Sequence, residues 1–217
     1  MPRIFLVRSG QTDEQEQGLL VGRRDPSLSD TGHWQAKCLA RRFRENGIHH
    51  VAVSPQRRSV STAMRICDAV DLTPELVGGF EGVDLGEWEG KRREWVLGSD
   101  AARFEEWRSD VDFPAPGGES LRNIYRRAFP DLVSLVERRD PDESLVVVAP
   151  ATILRVLCCG ILDLPLNSAL SFRIDCGGVS SFARLFEGGP FQLIQWNDLS
   201  HLKTAVARSY ELEQEAP

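Results

Sequence analysis

Residues 6–12, LVRSGQT, combine a cation with small polar side chains directly after an apolar run that is typical of a strand. A strand that ends in this way can present an anion site in the turn that follows it. A serine hydroxyl becomes a nucleophile only beside a general base. We therefore expect Arg8, Ser9 and Gln11 to contact an anionic ligand, and Ser9 is also a candidate catalytic residue.

Two further arginines follow predicted strands. Arg58 lies in SPQRRSVSTA at the start of a helix, and Arg155 lies one turn into the helix after LVVVAP. Ligands in open α/β sheets bind beyond the carboxyl ends of the strands, and guanidinium groups match phosphate or carboxylate oxygens. We expect both to bind the ligand, although Arg155 could equally face solvent or brace a loop. Glu119 and Ser120, in GGES, are either pocket residues or a helix start that Ser120 caps.

Strands alternate with helices along the chain, which predicts a three-layer α/β/α domain with a mainly parallel central sheet. Apolar runs predict strands at residues 3–7, 50–54 and 145–149, and three more near residues 171–175, 179–186 and 191–196. Helical spacing predicts helices from Ser29 or Asp30 to Gly47, from Pro55 to about residue 70, over 121–135, and from about 150 to Gly160. Residues 80–118, rich in Trp, Gly and charge, should form a helical and loop insertion over the site.

Length and composition limit the classes of protein that fit. The chain has 217 residues, which predicts one domain over residues 1–207 followed by a tail at 208–217. A net charge of −6 argues against nucleic acid as a partner. No segment is apolar enough for a membrane span or a signal peptide, which predicts a cytoplasmic protein without a membrane partner. The five cysteines form no CxxC pair, so we expect neither a disulfide framework nor a zinc site. No cluster of metal ligands appears in the sequence, and we expect no cofactor.

Seven stretches, in order, resemble the histidine phosphatase superfamily, which has the phosphoglycerate mutase-like fold. They are FLVRSGQT, DPSLSDTGHWQA, VSPQRRSVSTA, DLGEWEG, PGGESL, LVVVAPATILRVL and NDLSHL, and together they span roughly residues 3–205. The resemblance implies a site in which a histidine after the first strand attacks phosphorus. Two arginines and a second histidine would clamp the phosphate, and a carboxyl group would protonate the leaving alcohol.

Position by position, the sequence matches the clamp arginines of this pattern at Arg8 and Arg58. The nucleophile's place holds Ser9, the second histidine's place holds Pro150, and the acid's place holds Gly82, with Glu81 one residue out of register. Glu81 is thus either a displaced acid or a surface carboxylate. We expect a protein that has lost phosphohistidine chemistry and binds an anionic or phosphorylated small molecule, a phosphate ester or a carboxylate, through Arg8 and Arg58.

Three other functions stay open on the sequence alone. The chain could be a diverged enzyme that uses the same pocket for a non-phosphoryl reaction in a biosynthetic pathway. It could retain phosphatase or mutase activity through unrecognised replacements. It could also be an inactive structural subunit of a hetero-oligomer that contains an active relative. As protein partners, a second copy in a homodimer and such a relative both stay open.

Overall fold

The computed structural model describes residues 3–184, 186 and 188–203. Its central sheet has the strand order β3-β2-β4-β1-β5-β6. The first four strands in this order run parallel, whereas β5 and β6 are antiparallel to their neighbours. The predicted α/β fold with a mainly parallel sheet is confirmed. The strands are β1 (Arg3–Arg8), β2 (His50–Val53), β3 (Glu75–Leu76), β4 (Leu145–Ala149), β5 (Val179–Arg184) and β6 (Phe191–Asp198).

Helices cover both faces of the sheet, so the central strands are buried on either side. Successive side chains of a strand point to opposite faces. In β1, Ile4 and Leu6 belong to one apolar core, while Phe5 and Val7 belong to the other. The described helices are α1 (Asp13–Glu16), α2 (Asp30–Phe43), α3 (Arg57–Val70), α4 (Arg93–Ser99), α5 (Ala101–Ser109), α6 (Leu121–Glu137) and α7 (Ala151–Ile161).

Local side-chain chemistry explains where these helices begin. Ser29 accepts a hydrogen bond from the main-chain N–H of Gly32 at the start of α2, as the sequence predicts. Ser120 and Asn123 form a reciprocal capping box at the start of α6. Pro150 is the N-cap residue of α7 and therefore sets the end of β4 against the start of that helix. The Ser29 and Ser120 caps satisfy main-chain donors that a helix leaves free, whereas Pro150 makes no side-chain cap hydrogen bond.

The insertion at residues 80–118 contains α4, α5 and a short 3₁₀ turn at Gly86–Trp88. Three of its aromatic rings form a buried cluster, with ring centroids 5.5 Å apart for Trp88 and Phe104 and 6.1 Å apart for Trp88 and Trp107. The indole N–H of Trp88 donates to Asp100 at 2.7 Å. These rings are part of the apolar core that also contains Ile4 and Leu6, so they hold α5 against the domain.

The strand predicted near residues 171–175 is wrong. Residues 166–171 form a 3₁₀ turn, and the residues after it take no part in the sheet. Side chains occupy the carbonyls that a strand would use, because Arg155 donates to Phe172, Trp196 to Arg173 and Arg8 to Ile174.

The tail predicted at 208–217 lies outside the described residues. Within those residues, no helix combines the length and apolarity that crossing a membrane requires.

Candidate ligand-binding site

A cavity of about 500 Å³ opens at the carboxyl ends of β1 and β4. Arg8 ends β1 and pairs in register with Ala149, the last residue of β4. The wall therefore combines Arg8 with Pro150, Ala151 and Thr152 from the start of α7. The other side of the cavity is formed by residues 18–21 and by the insertion.

Four arginines line this cavity, and they come from four different elements. Arg8 ends β1, Arg93 begins α4, Arg108 lies in α5 and Arg155 lies in α7. No Asp, Glu or His is among the lining residues of the described chain. In a protein whose net charge is −6, this wall is a concentrated positive surface, which attracts anions.

Main-chain carbonyls orient the two inner arginines. Nη1 of Arg8 donates to the carbonyl of Ile174 at 2.6 Å, and Nε of Arg155 donates to the carbonyl of Phe172 at 2.7 Å. Burial lowers the pKa of Arg155 to about 10, and repulsion from Arg8 and Arg93 adds to this effect. Arg155 is still protonated at neutral pH, so its charge is present but only partly compensated.

Carboxylates do not neutralise this group. Within the part of the chain that the structure describes, no carboxylate oxygen lies within 4 Å of the guanidinium of Arg8, Arg93 or Arg155. Asp175 acts on Arg8 and Arg155 at longer range, and it is itself paired with Arg173 at 3.1 Å and with Asn197 at 2.8 Å. Three guanidinium groups thus lack a counter-charge in contact.

Arg58 lies behind the cavity wall and has no exposed surface. Its two Nη atoms donate to the carbonyls of Arg24 at 2.8 Å and Gly22 at 2.9 Å, and to Oε1 of Gln56 at 3.0 Å. Its Nε has no partner among the described residues. Burial lowers the pKa of Arg58 to about 10, and nearby Asp25 and Glu89 oppose that shift. The geometry makes Arg58 a brace for residues 22–24.

Ser9 and Gln11 also lie off the cavity wall. Ser9 is 2% exposed, and its main-chain N–H donates to the carbonyl of Ala149. Gln11 packs against the start of α2, where its N–H donates to Gln35 at 2.9 Å and its carbonyl accepts from Ser29. The turn after β1 therefore uses its polar groups to join β1 to β4 and α2.

The space around the side-chain positions differs between residues 81 and 82. A Cβ atom at Gly82 would come within 2.4 Å of the carbonyl oxygen of Gly22 and 2.7 Å of Oε1 of Gln56. The main chain of residues 22–24 thus fills the space that a side chain there would need. Glu81 points away to a partly exposed ion pair with Arg23 at 3.6 Å, and it is not a cavity residue.

Glu119 and Ser120 organise the insertion. Glu119 accepts a bidentate pair of hydrogen bonds from Arg127, both at 2.9 Å, and one from the N–H of Asp84. Burial opposes ionisation of Glu119, yet the hydrogen bond from Arg127 lowers its pKa overall. Arg127 also donates to the carbonyls of residues 79, 81 and 82. Ser120 serves as the helix cap already described, so the structure supports the capping alternative for it.

The four histidines lie outside the cavity. His33 is exposed, His49 accepts from the N–H of Ser144, and His50 pairs with Glu143 at 2.6 Å. His201 is within 3.2 Å of Arg42, and burial lowers its pKa to about 4. Within the described residues, no group of three or more His, Cys, Asp or Glu side chains could hold a metal ion.

Four polar cavity residues were not identified from the sequence. They are Gln15, Arg93, Arg108 and Thr152. The two arginines lie in the insertion, whose position over the sheet depends on tertiary packing. The chain has 23 arginines, since three of its 26 basic residues are lysines, so residue type alone could not single them out. Thr152 could have been predicted from its position, because it lies three residues beyond the end of β4.

Comparison with known proteins shows that the chain belongs to the histidine phosphatase superfamily. The model of the histidine phosphatase superfamily (branch 1) matches residues 4–199. Phosphoserine phosphatase 1 of Hydrogenobacter thermophilus is 30% identical over 178 residues, which cover 81% of this chain and 83% of the relative. Glucosyl-3-phosphoglycerate phosphatase of Mycobacterium tuberculosis is 25% identical over 203 residues, with coverages of 89% and 91%.

The fold agrees with solved structures. The mycobacterial glucosyl-3-phosphoglycerate phosphatase in complex with VO3 superposes with a TM-score of 0.83 over 91% of this chain and 99% of that chain, at 24% identity. The three-layer fold of this chain is therefore that of the phosphoglycerate mutase-like proteins.

Proposed function

Since the chain belongs to the histidine phosphatase superfamily, we propose that it binds an anionic or phosphorylated small molecule in this cavity without forming a phosphohistidine. One observation supports this most strongly: the cavity wall carries four arginines and, among the described residues, no acid or histidine. Arg8 and Arg155 would contact the anion. Arg58 would act through its charge and by holding residues 22–24.

We expect no phosphoryl transfer because of the residue types at three positions. Phosphoryl transfer to the protein needs a nucleophile and a base or acid near the phosphate. Ser9, Gly82 and Pro150 occupy the places where the family pattern has a histidine, an acid and a second histidine. A buried serine without a neighbouring histidine is a poor nucleophile, so binding is expected to exceed any hydrolysis.

Calorimetric titration with inorganic phosphate tests the binding step. We expect Arg8→Gln and Arg155→Gln each to weaken binding by roughly tenfold or more, since a charged hydrogen bond contributes about 1.5–3 kcal/mol. Arg65→Gln is the matched control, because Arg65 is exposed on α3 and is not a cavity residue. Equal affinity in all four proteins would contradict the proposed anion site.

Phosphatase activity is the second candidate, and the names of both relatives favour it. Incubation with a panel of phosphate esters separates the two functions. We expect no release of phosphate by the unmodified protein, and a larger effect from Ser9→His together with Pro150→His than from either change alone. Rapid release by the unmodified protein would overturn the binding-only proposal and leave the second candidate.

A further inference from the structure

Apart from the arginines, most side chains of the cavity wall are aliphatic or aromatic. Aliphatic side chains of residues 19–21, together with Val83 and Leu85, form one part of the wall, and the rings of Phe104 and Trp107 form another. Gln15 and Thr152 are the uncharged side chains there, within the described residues, that could hydrogen-bond a ligand, apart from the indole of Trp107. That indole N–H is already engaged with the carbonyl of Glu119 at 3.0 Å. A hydroxyl-rich ligand would therefore find few partners beyond the arginines.

From this we infer that the ligand is an amphipathic phosphate, in which a dianionic head group is joined to an apolar body without hydroxyl groups. This inference rests on the proposed function, since it assigns the head group to the same arginines. It differs from the substrates in the relatives' names, phosphoserine and a glucosyl phosphoglycerate, which are strongly polar.

The size and charge of the cavity agree with such a ligand. Small-molecule sites commonly have volumes of about 300–1,000 Å³, and this cavity of about 500 Å³ exceeds what a phosphate alone would fill. Arg8, Arg93 and Arg155 have no carboxylate in contact within the described chain, so a dianion compensates them better than a monoanion. The remaining volume borders apolar side chains, where a buried hydrocarbon replaces water favourably.

The experiment compares Kd values for inorganic phosphate, glucose 6-phosphate, butyl phosphate and hexyl phosphate by calorimetry. Each buried methylene should tighten binding about fourfold, since it contributes roughly 0.8 kcal/mol. Hexyl phosphate has two more methylenes than butyl phosphate, so we expect it to bind roughly fifteenfold more tightly. It should also bind at least tenfold more tightly than glucose 6-phosphate.

Variants locate the apolar contact. Leu19→Gln should reduce the advantage of hexyl phosphate over inorganic phosphate by about fivefold or more, while inorganic phosphate still binds. Val21→Thr changes polarity at nearly constant size and serves if Leu19→Gln does not fold. Leu76→Gln is the control, because Leu76 is 63% exposed on β3 and is not a cavity residue.

The outcomes separate the two proposals. Phosphate binding that depends on Arg8 but shows no preference for hexyl over glucose phosphate would overturn the inference and leave the proposed function. A preference that Leu19→Gln and Val21→Thr do not change would place the apolar body elsewhere and also overturn it. Failure of all four compounds to bind would overturn both.

Discussion

The two arginines predicted to clamp the anion have different surroundings. Arg58 is fully buried and uses three side-chain hydrogen bonds to hold residues 22–24 and Gln56, whereas the Arg8 side chain makes one hydrogen bond and faces the cavity. A buried guanidinium that donates to several carbonyls stabilises the segment that carries them, because hydrogen bonds to a charged group contribute about 1.5–3 kcal/mol each. Substitution of Arg58 should therefore mainly reduce stability, whereas substitution of Arg8 should mainly reduce ligand binding.

Arg58→Met should lower the free energy of unfolding by about 3 kcal/mol or more, since three hydrogen bonds from a buried guanidinium are lost together. The carbonyls of Gly22 and Arg24 would keep only Nε2 of Gln56, at 2.8 and 3.4 Å. Arg8→Met should change it by less than about 1 kcal/mol, because a single hydrogen bond to Ile174 is lost. Urea denaturation measures both, with Arg65→Met as the exposed control. Similar losses in Arg58→Met and Arg8→Met would contradict the brace assigned to Arg58.

Gly82→Glu tests whether position 82 can carry an acid. The new Cβ atom would meet the carbonyl of Gly22 and the side chain of Gln56, so we expect a loss of about 1–3 kcal/mol of stability, as in overpacked cores. Added to the Ser9→His and Pro150→His variant, Gly82→Glu should bring no further increase in phosphate release. Gly78→Glu is the control, since nothing lies within 4 Å of a Cβ atom there. Unchanged stability of the Gly82→Glu variant would contradict this expectation and show that residues 22–24 move away from position 82 at little energetic cost.

At the scale of elements, the helix caps are the most direct link from sequence to structure. Ser120 accepts the N–H of Asn123, and Asn123 in turn accepts the N–H of Ser120. Ser120→Ala should cost about 1 kcal/mol of unfolding free energy without changing the Kd for phosphate. Ser27→Ala, at an exposed position, is the control. A large loss of phosphate affinity in Ser120→Ala would instead favour the pocket alternative for this residue.

The elements that could be predicted are those whose own sequence carries a strong pattern. The apolar runs of β1 and β4, the capped α2 and the amphipathic α6 all have a local cause, and the structure confirms them. A strand is also predicted near residues 171–175, but carbonyls of this segment are used by Arg8, Arg155 and Trp196 from other elements. That competition is long-range, so no local pattern could reveal it.

The same distinction applies to the site. Arg8 and Arg155 could be predicted, because Arg8 ends a strand and Arg155 lies in the helix that follows β4; both line the cavity. Arg93 and Arg108 reach it because the cluster of Trp88, Phe104 and Trp107 sets the position of α5 and its neighbour. The packing of an insertion depends on contacts with residues distant in sequence, and local patterns in a single sequence do not predict these contacts.

At the scale of the whole molecule, His201 links pH to stability. Its pKa is lowered to about 4, first by burial and then by Arg42, whereas an unfolded histidine titrates near 6.5. The unfolded chain therefore binds a proton between these values that the folded chain does not. Stability should fall as pH decreases from about 6.5 towards 4, and should be independent of this group above about 7.

Denaturant titrations from pH 7.5 to 4.5 measure this effect. We expect His201→Gln to lose stability less steeply than the unmodified protein across that range, because glutamine does not titrate. His33→Gln is the control, since His33 is exposed on α2. Parallel curves for the unmodified protein and His201→Gln would show that His201 is protonated equally in both states.

The absence of room at Gly82 also bears on how this protein could change over generations. A side chain can be exchanged by one codon, but the obstacle there is the backbone of Gly22, which every amino acid shares. Single substitutions at position 82 therefore cannot place a side-chain proton donor there while residues 22–24 stay where Arg58 and Gln56 hold them. To accommodate such a donor, one of the two loops would first have to change its course.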